Sequence, residues 1–269
     1  MNQTNLKWDY LINLFLCIGK KQTKERKHNE LKMPRWDRLK QLEIAATSGC
    51  DFLDLLNKGG VQTRQYLRCL QGSALEMGVI THPILPNKMW PPKVKEEKRS
   101  ITLEEHRLLH SNLRSWRWKI FLTLLWETGA AQSDAAHFRL ESLKGDVLVY
   151  HRMKTGARAA QRLSPELVAL VHNAACGRKK GFIIPSLQRM DQKDRANIFR
   201  RACLRCGVEG VSLHSYRYGW AERAYEAEMP ERLAMIALGH NSKAIHRAYS
   251  KKATVVAPSI EEYRAMSSS

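Results

Sequence analysis

The sequence predicts a mainly α-helical protein with one small antiparallel β-sheet, an α+β chain in two domains. Three observations carry that expectation. Apolar residues recur at helical spacing from Pro34 to about Gly78, a proline-rich stretch then interrupts the chain, and one segment near residue 147 switches to a strand period.

Residues 1–33 join an apolar patch, Leu11 to Ile18, to the charge run KKQTKERKHNELK, and read as a basic leader, loosely attached or disordered. The patch is far shorter than the ~20 apolar residues of a membrane span. Its lysines follow it, whereas a signal peptide carries its charge in front. A cytoplasmic protein without membrane association is expected. Over residues 34–82 the apolar positions Leu39, Leu42, Ile44 and Ala45, then Phe52, Leu53, Leu55 and Leu56, then Tyr66, Leu67, Leu70, Ala74, Leu75 and Met77 describe a small all-helical domain. THPILPNKMWPPKVKEEKRS follows, with four prolines, and cannot continue a helix, so residues 83–100 are expected as the interdomain linker.

The second domain, residues 101–269, opens on a Thr-x-x-Glu capping box, Thr102 and Glu105, ahead of a helix. A helix from about Trp116 to Thr128 ends at Gly129, and another begins near Ser133. In DVLVYHRMKTGARAAQRLS, Val147, Val149 and their neighbours read as a strand, KTGAR as a turn and the return as a second strand. Ser164-Pro165-Glu166 restarts a helix with a serine cap and proline at the first helical position. The remainder reads as helical, with breaks at Gly207 to Val211, Pro230 and Gly239.

The 269 residues carry 45 Lys and Arg against 26 Asp and Glu, a formal net charge of +19. The excess is +7 over residues 1–98 and +12 over residues 99–269, so the whole body is basic rather than one tail. A polyanionic partner is favoured. Double-stranded DNA or another nucleic acid suits an extended basic footprint better than a membrane surface does, since no stretch joins a strong apolar face to a lysine-rich one. Six cysteines are scattered through a chain large enough to fold without disulfides. Cys203-x-x-Cys206, with His172 and Cys176 at a distance, gives only an unmatched half of a zinc site. Both cysteines fit better as small hydrophobes on a helix, and no metal site is expected.

Near the C-terminus, VSLHSYRYGWAERAYEAEM sets His214 and Arg217 three apart, on one face of a helix. A guanidinium fork takes two phosphate oxygens, and an imidazole moves a proton near neutral pH. In a chain this rich in His, Lys and Arg, an incidental pair on a solvated face competes with that reading. In ALGHNSKAIHRAYSKK, Gly239 ends a helix, His240 sits at the break, and Ser242 caps a helix that delivers Tyr249 two turns later. Alone, such a tyrosine is more often core than nucleophile.

The order His-x-x-Arg, then Leu-Gly-His, then a tyrosine nine residues on, resembles the tyrosine recombinase (phage integrase) family. His214, Arg217, His240 and Tyr249 match that family's second box. MKTGAR puts Lys154 in the hairpin turn where the family carries a lysine, and residues 34–105 resemble its helical core-binding domain, linker and opening of the catalytic domain. The resemblance implies a site-specific recombinase or integrase. It would cut and rejoin DNA through a 3′-phosphotyrosyl intermediate, without metal, ATP or other cofactor. Tyr249 would attack phosphorus, Arg217 would stabilise the developing charge, His214 would assist proton transfer from the tyrosine, His240 would bond a non-bridging oxygen, and Lys154 would protonate the leaving oxygen. Arg64, Arg68, Lys93 and Lys95 would contact DNA phosphates. A short helix near Pro258 to Met266 would dock on a neighbouring protomer, giving a homo-oligomer, a tetramer at a synapse.

One position departs from the pattern. The family's first phosphate-clamping arginine lies in a Thr-Gly-x-Arg stretch, and here ETGAAQSDAAHFR keeps Thr128, Gly129 and Asp134 but holds Ala131 in the arginine slot. Three explanations are open: Gln132 or Arg139 fills the gap, Arg114 or Arg117 reaches in, or the chain is a catalytically impaired relative that binds DNA without cutting it.

Overall fold

The computed structural model describes residues 6–92, 99–240 and 242. The chain divides into two compact units, residues 1–96 and 97–269.

The first unit is helical: α1 (Trp8–Cys17), α2 (Lys21–Leu31), α3 (Asp37–Gln41), α4 (Gly49–Asn57) and α5 (Val61–Glu76). Its core gathers Trp8, Leu11, Leu31, Trp36, Phe52, Leu67 and Leu70. The expectation of a loose leader over residues 1–33 is therefore corrected for residues 8–31. Trp8, Leu11 and Ile12, spaced one turn apart, form the buried face of α1, and the Trp8 indole donates to Thr47 Oγ1 at 2.8 Å. The charge run that disguised this is structural in part. Lys27 is buried, its ammonium donates to the Phe15 and Ile18 carbonyls at 2.7 and 2.9 Å, and its charge lies over the Phe15 ring. A lysine thus takes up the orphan carbonyls at the end of α1.

The proline-rich stretch also begins inside this unit. Leu85 and Trp90 are core residues. The Leu85 backbone is gripped from both sides by Gln71, and its carbonyl accepts from the Trp90 indole at 2.9 Å. Residues 83–90 are thus packed chain rather than free linker, and residues 93–98 lie outside the described residues. Missing helical periodicity hid this segment, because its hydrogen bonds run to a side-chain amide instead of along a ladder.

The second unit comprises α6 (Leu103–Asn112), α7 (Trp116–Thr128), α8 (Gln132–Ala136), β1 (Leu143–Lys144), β2 (Val147–His151), β3 (Arg158–Arg162), α9 (Pro165–Ala175), α10 (Pro185–Arg189), α11 (Gln192–Arg205), α12 (Ser215–Glu226) and α13 (Glu231–Leu238). The mainly α architecture with a small antiparallel sheet is present as expected. The sheet runs β1-β2-β3, with Val147 opposite Arg162 and His151 opposite Arg158. Thr102 and Glu105 form the capping box of α6, and Ser164 caps α9. The core is built around Phe121, Leu124, Leu125, Phe138, Leu148, Val171, Phe199 and Tyr216. Cys203 is buried among them, a small hydrophobe as its position on α11 implies.

His106 ties α6 to α7 and α12. Its ring stacks on Trp126 at 4.6 Å, meets Tyr216 edge-on, and brings Nδ1 to 3.2 Å from the Tyr216 hydroxyl. Burial, helped by the positive neighbours His110, Arg223 and Arg107, pushes its pKa down to about 4. The unfolded chain, with an ordinary histidine pKa of about 6.5, takes up a proton before the folded one does. This contribution is intact above pH 6.5 and is lost as pH falls toward 4. Denaturation midpoints measured across that window should fall, and His106→Gln should flatten the decline. An equally steep decline in the variant removes His106 as its source.

Candidate active site

The site grows from the way α7 ends. The last carbonyls of a helix have no partner within it, and here side chains from other elements supply their donors. Arg223 of α12 binds the Trp126 carbonyl and Trp220 binds that of Glu127. Gln161 of β3 binds the Thr128 carbonyl at 2.7 Å. Gly129 closes the helix in the left-handed conformation (φ 57°), and its carbonyl accepts from Arg217 Nη1 at 3.0 Å.

Arg217 is completely buried. Its Nη2 donates to the Leu238 carbonyl, the last residue of α13, at 2.7 Å, and lies 2.6 Å from His240 Nε2. One guanidinium therefore joins the C-terminal ends of α7 and α13, where helix dipoles favour a cation. A guanidinium can only donate, so His240 Nε2 accepts and the neutral ring carries its proton on Nδ1. His240 is itself buried and, with Gly239, lines an open groove whose other walls include Arg158, Arg232 and Met235.

The remaining expected residues are placed as follows. His214 is the N-cap residue of α12, half-buried, with its ring edge-on to Tyr218 at 5.3 Å. Lys154 is exposed at the tip of the turn between β2 and β3, closed by Arg152 N to Ala157 O at 2.8 Å and Gly156 N to Arg152 O at 2.7 Å. Tyr249 lies outside the described residues, as do Lys93, Lys95 and the segment from Pro258 to Met266. The structure thus brings Arg217 and His240 into contact, sets His214 one turn before Arg217, and leaves Lys154 at the hairpin tip. In the first unit, Arg64 and Arg68 both approach the Trp90 ring, at 5.9 and 5.5 Å. Arg64 Nε donates to the Pro91 carbonyl, and Arg68 Nη2 to Asn87 Oδ1 at 2.7 Å.

Around Ala131, the N-cap residue of α8, the candidates for a substitute divide clearly. Arg139 is exposed, paired with Glu141 at 2.6 Å and laid over Phe182. Arg114 precedes α7 and Arg117 opens it, with Arg117 folded over Trp116. At ~1.5 Å per residue they are about 18 Å from the Gly129 end, a separation no arginine side chain spans. Gln132 opens α8, its Oε1 buried without a hydrogen-bond partner among the described residues.

Sequence reasoning missed Arg152. It is half-buried at the end of β2, and its Nη1 donates to the Gly239 carbonyl at 3.0 Å. Its Nε faces Asp134 of α8 at 3.6 Å, and Asp134 also accepts from Met153 N at 2.9 Å. The signal was in the strand period: Leu148 and Tyr150 face the core, and position 152 continues the same side.

A family model described as the phage integrase family matches residues 99–254. No curated protein matches the sequence. The chain is similar in fold to a lambda integrase dimer bound to a COC' core site, with 17% identity, 96% of this chain and 81% of that one covered, and a TM-score of 0.75. It is also similar to a lambda integrase tetramer bound to a Holliday junction, with 18% identity, 96% and 82% covered, and a TM-score of 0.73. A third similar structure is the Tn1549 transposon integrase with a circular intermediate DNA, with 14% identity, 98% and 99% covered, and a TM-score of 0.72.

Proposed function

The chain belongs to the phage integrase family, and from that premise we propose that it is a site-specific DNA recombinase that cuts and rejoins duplex DNA through a 3′-phosphotyrosyl intermediate. Tyr249 attacks a backbone phosphorus, the bond to the 5′-oxygen breaks, and the phosphotyrosyl ester keeps the bond energy for joining a new strand without ATP. His214 takes part in removing the tyrosine proton, Lys154 gives a proton to the departing 5′-oxygen, and Arg217 with His240 holds the non-bridging oxygens as charge develops on them. No residue in this scheme calls for a metal ion. Arg64, Arg68, Lys93 and Lys95 bind backbone phosphates and set the position of the duplex without reading its sequence. The protein works as a homo-oligomer on DNA, a tetramer at the synapse.

The observation that carries this reading is Arg217. A buried guanidinium costs several kcal/mol in desolvation, and a core with no use for the cation is as stable with an apolar residue in its place. Here the guanidinium is instead fixed at two helix ends against an imidazole, which places a held cation and a histidine ring together, a pairing suited to a phosphate.

A second reading, a DNA-binding relative with impaired cutting, is favoured by one residue, Ala131, whose methyl group binds no phosphate. One experiment separates the two. The protein is incubated with a randomised pool of nicked duplexes that trap a covalent intermediate, and the adduct is digested and mapped by mass spectrometry. A phosphotyrosyl peptide at Tyr249 is expected. Salt-sensitive DNA binding with no adduct from any duplex supports the second reading, and an adduct on another residue removes Tyr249 as nucleophile.

A further inference from the structure

We propose that Arg152 supplies the second phosphate-binding guanidinium of this site, entering from the β2–β3 hairpin rather than from the start of α8. The proposal rests on the recombinase reading above and assigns a residue that reading left open.

Arg152 and Arg217 grip consecutive carbonyls of a single turn. Arg217 Nη2 binds Leu238 O and Arg152 Nη1 binds Gly239 O, and the next residue is His240. Arg217 thus meets the His240 ring directly, and Arg152 holds the residue before it. Arg152 packs tightly on this turn, since a Cβ on Gly239 would lie 2.6 Å from Arg152 Cδ. Tyr150 lies near both guanidinia. Its hydroxyl is buried without a hydrogen-bond partner among the described residues, and its ionisation is opposed by burial and Asp134 and favoured by both Arg217 and Arg152.

Arg152 keeps donors to spare. Nη1 spends one proton on Gly239, Nε makes no hydrogen bond and meets Asp134 only at ion-pair distance, and Nη2 finds no acceptor among the described residues. Arg99, by contrast, closes its fork on Glu105 at 2.7 and 2.9 Å. Asp134 anchors both the Arg152 side chain and the Met153 backbone, so it aims the hairpin while leaving the outer edge of the fork for an anion. Of the four other candidates around Ala131, the three arginines are engaged or too distant, and Gln132 brings no charge.

The test uses a duplex recovered by covalent capture with the wild-type protein, remade with either the native phosphate or a neutral methylphosphonate at the cleaved position. Arg152→Ala should slow adduct formation by about 10³ on the phosphate, the scale for losing one preorganised donor. It should cost tenfold or less on the methylphosphonate, where the charge to be balanced is gone. Arg152→Lys, which keeps the cation and most of its stem, should fall between the two, and it decides the comparison if Arg152→Ala does not fold by circular dichroism. Equal losses on both substrates assign Arg152 to positioning the turn before His240 and overturn the proposal, as does no loss at all. Failure of the wild-type protein to form any adduct overturns instead the recombinase reading beneath it.

Discussion

Replacing Arg217 by alanine is expected to slow covalent adduct formation by about 10³–10⁵, the range found when an arginine that stabilises a phosphoryl transition state is removed. Duplex binding should change far less, because most of its free energy comes from other phosphate contacts. The variant also loses stability. The Gly129 and Leu238 carbonyls each forfeit a donor, at about 1–3 kcal/mol for each one left buried and unsatisfied. Release of the buried cation offsets part of that loss. Rates are therefore compared at a temperature where circular dichroism shows both proteins folded. Arg217→Lys isolates the geometry: an ammonium keeps the charge but lacks the planar fork that reaches the ends of α7 and α13 together, so it should recover stability more than rate. A folded Arg217→Ala protein cutting within tenfold of wild type removes Arg217 from the chemistry.

The architecture was legible where local signals and tertiary packing agree. The capping box at Thr102 and Glu105, the serine cap at Ser164 and the glycine stops at Gly129 and Gly239 all lie where the sequence placed them, because each satisfies orphan groups within a few residues of itself. Residues 8–31 were misread because charge density outweighed a short apolar face. Lys27 looks like solvated surface until its ammonium is seen on the carbonyls ending α1. The candidate site residues show the same division. His214, Arg217, His240 and Lys154 stood out as an ordered set, whereas for Arg152 the strand period of β2 marks only the side on which it lies. Its partner is Gly239, 87 residues away along the chain, a relation that no local window contains. Arg139 shows the converse: near Ala131 in sequence, it is turned by Glu141 and Phe182 to other work.

Gly129→Ala should destabilise the second unit by about 2–5 kcal/mol and slow cutting as well. A side chain in the left-handed conformation costs about 1–2 kcal/mol. The added Cβ would stand 2.8 Å from Leu238 Cδ2 and from Cβ and Cγ of Trp220, and relieving such overpacking costs about 1–3 kcal/mol more. Gly129→Asn separates these two causes. Asparagine tolerates the left-handed conformation but carries the same Cβ, so a clash-dominated cost leaves both variants weak, while a purely conformational cost leaves asparagine near wild type. Chemical denaturation followed by circular dichroism reads the difference, and the clash-dominated outcome is expected. Its consequence for activity follows from the partners involved. Leu238 Cδ2 can rotate aside, but Trp220 Cβ is fixed to its backbone and can yield only by shifting α12, the element that carries Arg217 itself. A displacement there opens the grip on the turn before His240. The small residue that ends α7 is thus what allows two helix ends to approach closely enough for one guanidinium to bind both.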